Sequence, residues 1–186
     1  NPNVQIFGYL EGPFIRNDQD EFAVSALSTL GRYNISRGHS MGSLNLDQSG
    51  LFLLDSLGAR VYNEAYSNVT ADEYSYLMDF GSPAYRSYYL EAVEADVVGR
   101  VWQADGLFID DCSSLTASGL SSDPALYPDD DSWAAAMIDF VTGLAGGLQP
   151  LSLKMWANMG NSRWERGKNV WLALDSSPVR PDVVME

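Results

Sequence analysis

Two neighbouring carboxylates, Asp110 and Asp111, close the run Ala104-Asp105-Gly106-Leu107-Phe108-Ile109-Asp110-Asp111-Cys112. Leu107, Phe108 and Ile109 are large apolar residues in direct succession, the pattern of a short strand buried on both faces of a parallel sheet. Asp105-Gly106 is turn chemistry and marks the entry to that strand. Burying an unpaired carboxylate is costly, so a strand that ends in two of them opens onto solvent or a cleft. Parallel α/β folds place their chemistry at the carboxyl ends of strands. Alternation along the strand sends Asp110 and Asp111 to opposite sides, Asp110 into the cleft and Asp111 towards the backbone or a neighbouring loop. Taken alone, the pair fits a cap on the next turn as well as it fits catalysis.

Other reactive residues are few. Cys112 is the sole cysteine, so no internal disulfide forms, and the preceding acids keep its thiol neutral, as suits a small buried filler. His39 is the sole histidine and lies in the Gly/Ser-rich run Arg37–Ser43, poor ground for a Ser-His-Asp or Cys-His enzyme. No CxxC pair, HExxH or Walker loop is present. Asp129-Asp130-Asp131 offers oxygen ligands for calcium but matches no standard calcium-loop spacing, and Asp131 or Ser132 as the N-cap of a following helix accounts for it better. Neither a cofactor nor a bound metal is expected. Asn34-Ile35-Ser36 and Asn68-Val69-Thr70 fit the glycosylation sequon, a short pattern that arises often by chance.

These groups need a scaffold. At 186 residues, 46% hydrophobic and 19% charged, the chain can bury a core and reads as a single domain over 1–186. The net charge of −14 opposes a nucleic-acid backbone or an anionic membrane as partner and suits a secreted protein. No apolar run is long enough for a membrane span. With no start methionine or signal peptide, the chain reads as processed or as an excerpt.

Apolar runs predict parallel strands near residues 4–10, 105–110, 153–158 and 182–186. Several end in a polar or acidic residue: Glu11, Asp110, Asn158 and Glu186. Helical spacing is found over Asp20–Leu30, over 84–101, and from Trp133 through Met137, Phe140, Val141 and Leu144, where Gly146-Gly147 reads as the end. Leu51–Asp55 and Ala59–Tyr62 flank Ser56-Leu57-Gly58 as a hairpin or extended excursion. Ser113–Asp131 reads as a long loop, of the kind that is functional or mobile. Val170–Leu174 is open between strand and helix. Strands alternating with helices define an α/β fold.

Asn1-Pro2-Asn3 with Gly8-Tyr9, Met78-Asp79-Phe80-Gly81-Ser82-Pro83-Ala84-Tyr85-Arg86, Asp105-Gly106-Leu107-Phe108-Ile109-Asp110-Asp111, Asn158 and Met185-Glu186 together resemble glycoside hydrolase families related to the endo-α-1,4-polygalactosaminidases. The resemblance spans nearly the whole chain in order, and its most specific part is the Asp105–Asp111 run. It implies a TIM (β/α)8 barrel and hydrolysis of polysaccharide or oligosaccharide by two carboxylates, Asp110 at the end of the fourth strand and Glu186 at the end of the sixth. Asp110 would be nucleophile or base and Glu186 general acid, with their separation setting retention or inversion. Glu11, Asp79, Asp111 and Asn158 would hydrogen-bond sugar hydroxyls. Tyr9, Tyr127, Trp156 and Trp164 would offer stacking surfaces, though each equally fits core packing.

A complete barrel takes about 250 residues, so this chain would supply only about strands two to six, with flanking sequence or another chain completing it. Two further classes fit the residues. One is a non-catalytic carbohydrate-binding or structural module with a degenerate barrel site. The other is a metal-dependent hydrolase using Asp110 and Asp111 as ligands, with magnesium or calcium ahead of zinc.

Overall fold

The computed structural model describes residues 4–16, 39–40, 50–68, 73–94, 104–160 and 165–185. The helix expected over Asp20–Leu30, the Asn34 sequon, and the site residues Trp164 and Glu186 lie outside the described residues.

The apolar run Leu107–Ile109 forms the inner part of β6 (Gly106–Asp110), flanked by β1 (Phe7–Glu11) and β7 (Lys154–Asn158), with β8 (Val183–Met185) beyond β7. All three pairings are parallel, with Tyr9 opposite Phe108, Glu11 opposite Asp110 and Phe108 opposite Trp156. The four expected strands are therefore present in one parallel sheet. Five were expected from the barrel resemblance, and among the described residues the sheet has four. β1 pairs directly with β6, and the described strands that lie between them in the chain form a second sheet.

That second sheet has the order β3 (His39–Ser40), β2 (Phe14–Arg16), β5 (Glu73–Leu77), β4 (Tyr62–Asn68). The β4–β5 and β2–β5 pairings are antiparallel. Leu51–Leu54 folds back on Arg60–Val61 through a turn in which the Asp55 carboxylate accepts from the amides of Leu57 and Ala59, both at 2.9 Å. This is the expected hairpin. Gly58 takes φ 80° in it, a conformation that favours glycine.

Among the described residues, three α-helices lie between the parallel strands. α1 (Pro83–Val93) leads into β6, with Ser82 as N-cap and Pro83 at the start. α2 (Asp130–Leu148) joins β6 to β7 and α3 (Glu165–Ser176) joins β7 to β8. The stretch left open at Val170–Leu174 is thus helical. The predicted stripe Trp133, Met137, Phe140, Val141 and Leu144 is buried in α2 at no more than 1% exposure. Complete burial of each such side chain stabilises the fold by about 1.5–3 kcal/mol.

Two expectations about α2 are corrected. Its N-cap is Asp129, not Asp131 or Ser132: the Asp129 carboxylate accepts from the Ser132 amide at 2.8 Å and the Ser132 hydroxyl reaches back to the Asp129 amide, a reciprocal capping box. Asp130 and Asp131 fall in the first turn, where the helix dipole favours negative charge. Gly146-Gly147 does not end the helix, which continues to Leu148. Instead Gly143 and Gly147, one turn apart, let Arg86 and Leu90 of α1 lie close across α2.

The loop at 113–129 is tied down along its length. Gly119 O accepts from Glu64 N at 2.7 Å, while Ser121 N donates to Tyr62 O and Ala125 N to Leu54 O, both at 2.9 Å. Trp133 Nε1 donates to Ser113 O at 2.9 Å, and the Asp130 carboxylate holds Thr116. The loop therefore runs along β4 and binds the second sheet to the carboxyl end of the first.

Within the parallel sheet, strand order follows chain order. Crossovers between parallel strands are right-handed as a rule, so three taken in one direction place their helices on one face. In agreement, α1 packs on α2 and α2 on α3. The helix-covered face carries Leu10, Leu107, Ile109, Met155 and Ala157, all nearly or fully buried. The opposite face carries Phe7, Tyr9, Phe108, Trp156 and, at the carboxyl end, Asp110 and Asn158. Tyr9 there is 40% exposed and the others are half-buried.

Candidate active site at the carboxyl end of the parallel sheet

Parallel pairing in register brings Tyr9, Asp110 and Asn158, from three adjacent strands, to the same face. Asp110 is their centre. Its Oδ1 accepts from Asn158 Nδ2 at 2.7 Å and from the backbone amide of Asp111 at 2.9 Å. Its Oδ2 accepts from the Tyr9 hydroxyl at 2.8 Å. Asp111 has φ 58°, a left-handed conformation that Asp tolerates better than most residues. That turn ends the strand alternation directly after Asp110.

The ladder continues one step past the strands: Gly12 N donates to Asp110 O at 3.0 Å and Cys112 N to Asn158 O at 2.9 Å. Tyrosines of α1 brace the same end, Tyr85 donating to Gly12 O at 2.7 Å and Tyr89 to Glu11 O at 3.0 Å. The backbone on both sides of Asp110 is therefore fixed from several directions. Glu11 stands opposite Asp110 and is only 6% exposed.

Electrostatics follow from this geometry. Burial, the hydrogen bond to Asp110 and the negative charges of Asp110, Glu11 and Asp111 all push the Tyr9 hydroxyl up, so it stays protonated and remains a donor. Burial first, then Asp111 and Asp110, push the Cys112 thiol up; it is fully buried below the acidic pair. A neutral thiol there matches the sequence expectation and offers no nucleophile.

The remaining expected site residues make other contacts. Asp79 and Tyr127 bond to one another, carboxylate to hydroxyl, and the Tyr127 ring packs on Phe80 at 5.0 Å. Burial and Asp79 push the Tyr127 hydroxyl up. Trp156 is on the Asp110 face but further down the sheet, tilted against Phe7 at 4.8 Å. Tyr9 is joined to Asp110 through its hydroxyl, with its ring stacked on Phe108 at 5.7 Å. The sequence offers Tyr9 as a stacking surface or a core ring; the link to Asp110 depends on strand register, which the sequence does not display.

Among the described residues no three His, Cys, Asp or Glu side chains are grouped to hold a metal ion. No helix of the described residues is long and apolar enough to cross a membrane. A cleft of about 450 Å3 lies between α3 and β8, with Trp171, Leu172, Arg180 and Val184 in its wall, and includes none of the expected site residues. Asp110, held by three donors at a strand end, makes the stronger case for chemistry.

Fold and site together define an α/β protein with an oriented carboxylate at the carboxyl end of a singly wound parallel sheet. No family model matches the chain, and no curated protein is significantly similar to it.

Proposed function

We propose that the protein is a glycoside hydrolase acting on polysaccharide, with Asp110 as nucleophile or base and Glu186 as general acid. The observation that carries this reading is the convergence of Tyr9, Asn158 and the Asp111 amide on the Asp110 carboxylate. Every one of these groups is a donor, so the carboxylate is held as an acceptor with its orientation fixed. That is what attack on an anomeric carbon, or on the proton of a water, requires. Glu186 follows Met185, the last residue of β8, whose backbone pairs with Asn158. Glu11, Asp111 and Asn158 would meet sugar hydroxyls near the reacting bond, and Trp156 and Trp164 would offer ring faces.

The same reading places the parallel sheet within a (β/α)8 barrel. Single winding, strands in chain order and helices on one face are what an arc of a barrel requires. The half-exposed aromatic face would be its interior. The edge of β8 and the α3 cleft, where Leu172 is 57% exposed, would be covered by the next strand and helix.

The test is hydrolysis of a panel of α- and β-linked polysaccharides, amino sugars included, by the protein with its barrel complete. Asp110→Asn should lower turnover by orders of magnitude, each ~1.4 kcal/mol of lost transition-state stabilisation being tenfold. Asp111→Asn, which keeps the backbone amide, should lower it less. A folded Asp110→Asn protein with undiminished turnover overturns the assignment. Binding without turnover in the unaltered protein would instead indicate a carbohydrate-binding module, a reading that draws on the half-exposed aromatic face.

A further inference from the structure

We infer that Tyr9 is a positioning residue for Asp110, its hydroxyl selecting which carboxylate oxygen faces the substrate, rather than a surface on which a sugar ring stacks. The inference rests on the hydrolase reading and adds a role to that site. Asp110 Oδ1 accepts from both Asn158 Nδ2 at 2.7 Å and the Asp111 amide at 2.9 Å, which engages both of its lone pairs. Oδ2 accepts only the Tyr9 hydroxyl among the bonds described, at 2.8 Å. One lone pair of Oδ2 is thus left to react, and Tyr9 determines its direction.

The packing of the Tyr9 ring suits it to this task. Phe108, its register partner on β6, lies against it at 5.7 Å with an interplanar angle of 18°. One ring face is therefore taken, and the aim of the hydroxyl is fixed by packing. Burial, the bond to Asp110 and the neighbouring acids all hold the proton on the hydroxyl, so it remains a donor.

The test uses Tyr9→Phe, which keeps the ring and its packing and removes only the hydroxyl, on a polysaccharide that the protein hydrolyses. Loss of a hydrogen bond to a charged group should lower kcat about ten- to a hundredfold. KM should change little, because the hydroxyl acts through Asp110 and not on the sugar. Tyr9→Ala should fall further, through lost packing on Phe108. A stacking role gives a different result: Tyr9→Phe then keeps kcat, and Tyr9→Ala raises KM. That result overturns the inference and leaves the hydrolase reading standing. Absence of turnover on every glycan overturns the hydrolase reading itself. A structural readout separates these cases, since the carbon-13 shift of the Tyr9 ring carbon bearing the hydroxyl should move in Asp110→Ala, and an unmoved shift overturns the pairing whatever the activity.

Discussion

Gly12 stands against the carbonyl of Asp110, donating its amide to that oxygen at 3.0 Å, with no room for a side chain between them. A Cβ at residue 12 would come 2.9 Å from the same oxygen and 3.0 Å from Cys112 Sγ. The oxygen is backbone and cannot swing aside, so the end of β1 and the end of β6 approach closely only because residue 12 is glycine.

Gly12→Ala should therefore destabilise the fold by about 1–3 kcal/mol, the usual range for forcing a methyl group into a packed site. Denaturant unfolding measures this as a lower midpoint at unchanged slope. The same variant should lose turnover, because Tyr9 and Asp110 lie on the two strands being pushed apart. A midpoint equal to that of the unaltered protein would show that the two strand ends can separate freely.

How much of this was legible beforehand differs between elements. Leu107–Ile109 was readable as a strand because three large apolar residues in a row have few alternatives in a buried α/β sheet. The α2 stripe was readable because Trp133, Met137, Phe140, Val141 and Leu144 follow the helical period. The cap was misplaced because three successive Asp residues each satisfy the compositional rule, and only the reciprocal bonds with Ser132 choose Asp129. Gly146-Gly147 misled because glycine both ends helices and allows close helix packing. The Tyr9–Asp110 bond and the direct β1–β6 pairing depend on long-range register. Local pattern carries no information about it.

Stability should fall on the alkaline side. Burial pushes up the Cys112 thiol and the Tyr85 and Tyr89 hydroxyls, and nearby acids and tyrosines add to the effect. A raised value in the folded state means that the folded protein holds these protons after the unfolded chain has lost them. The associated stability is complete below the unfolded values, about 8.5 for Cys and 10 for Tyr, and declines as pH rises above them. Thermal midpoints should thus decline from about pH 8.5 upward and more steeply beyond about pH 10. Cys112→Ala should flatten the first part of the decline and leave the second. An unchanged first part would mean that the thiol does not contribute. In the native protein the thiol should also resist aromatic disulfide reagents until unfolding exposes it.

Asn158 offers the most direct test of the geometry around Asp110, because replacing its amide with a carboxyl group reverses the interaction without changing its shape. The amide nitrogen donates to Asp110 Oδ1 at 2.7 Å. Asn158→Asp would bring a second carboxylate to that distance, and two like charges so close cannot both be ionised without penalty. At acid pH the pair shares one proton, the introduced acid can donate it to Asp110, and the original hydrogen bond is restored. As pH rises the shared proton is lost, the carboxylates repel, and the strand ends of β6 and β7 are strained apart. Stability of Asn158→Asp relative to the unaltered protein should hence be best at acid pH and worsen towards neutrality. Asn158→Ala should show a loss of about 1–3 kcal/mol with much weaker pH dependence, since it removes a donor and adds no charge. Thermal unfolding from pH 4 to 8 measures both without a substrate, and turnover, once a glycan is found, should follow the same order. If Asn158→Ala were as stable as the unaltered protein and Asn158→Asp ran parallel to it across this range, the Asn158–Asp110 hydrogen bond would have no energetic weight, and the proposed orientation of the carboxylate would lose one of its three supports.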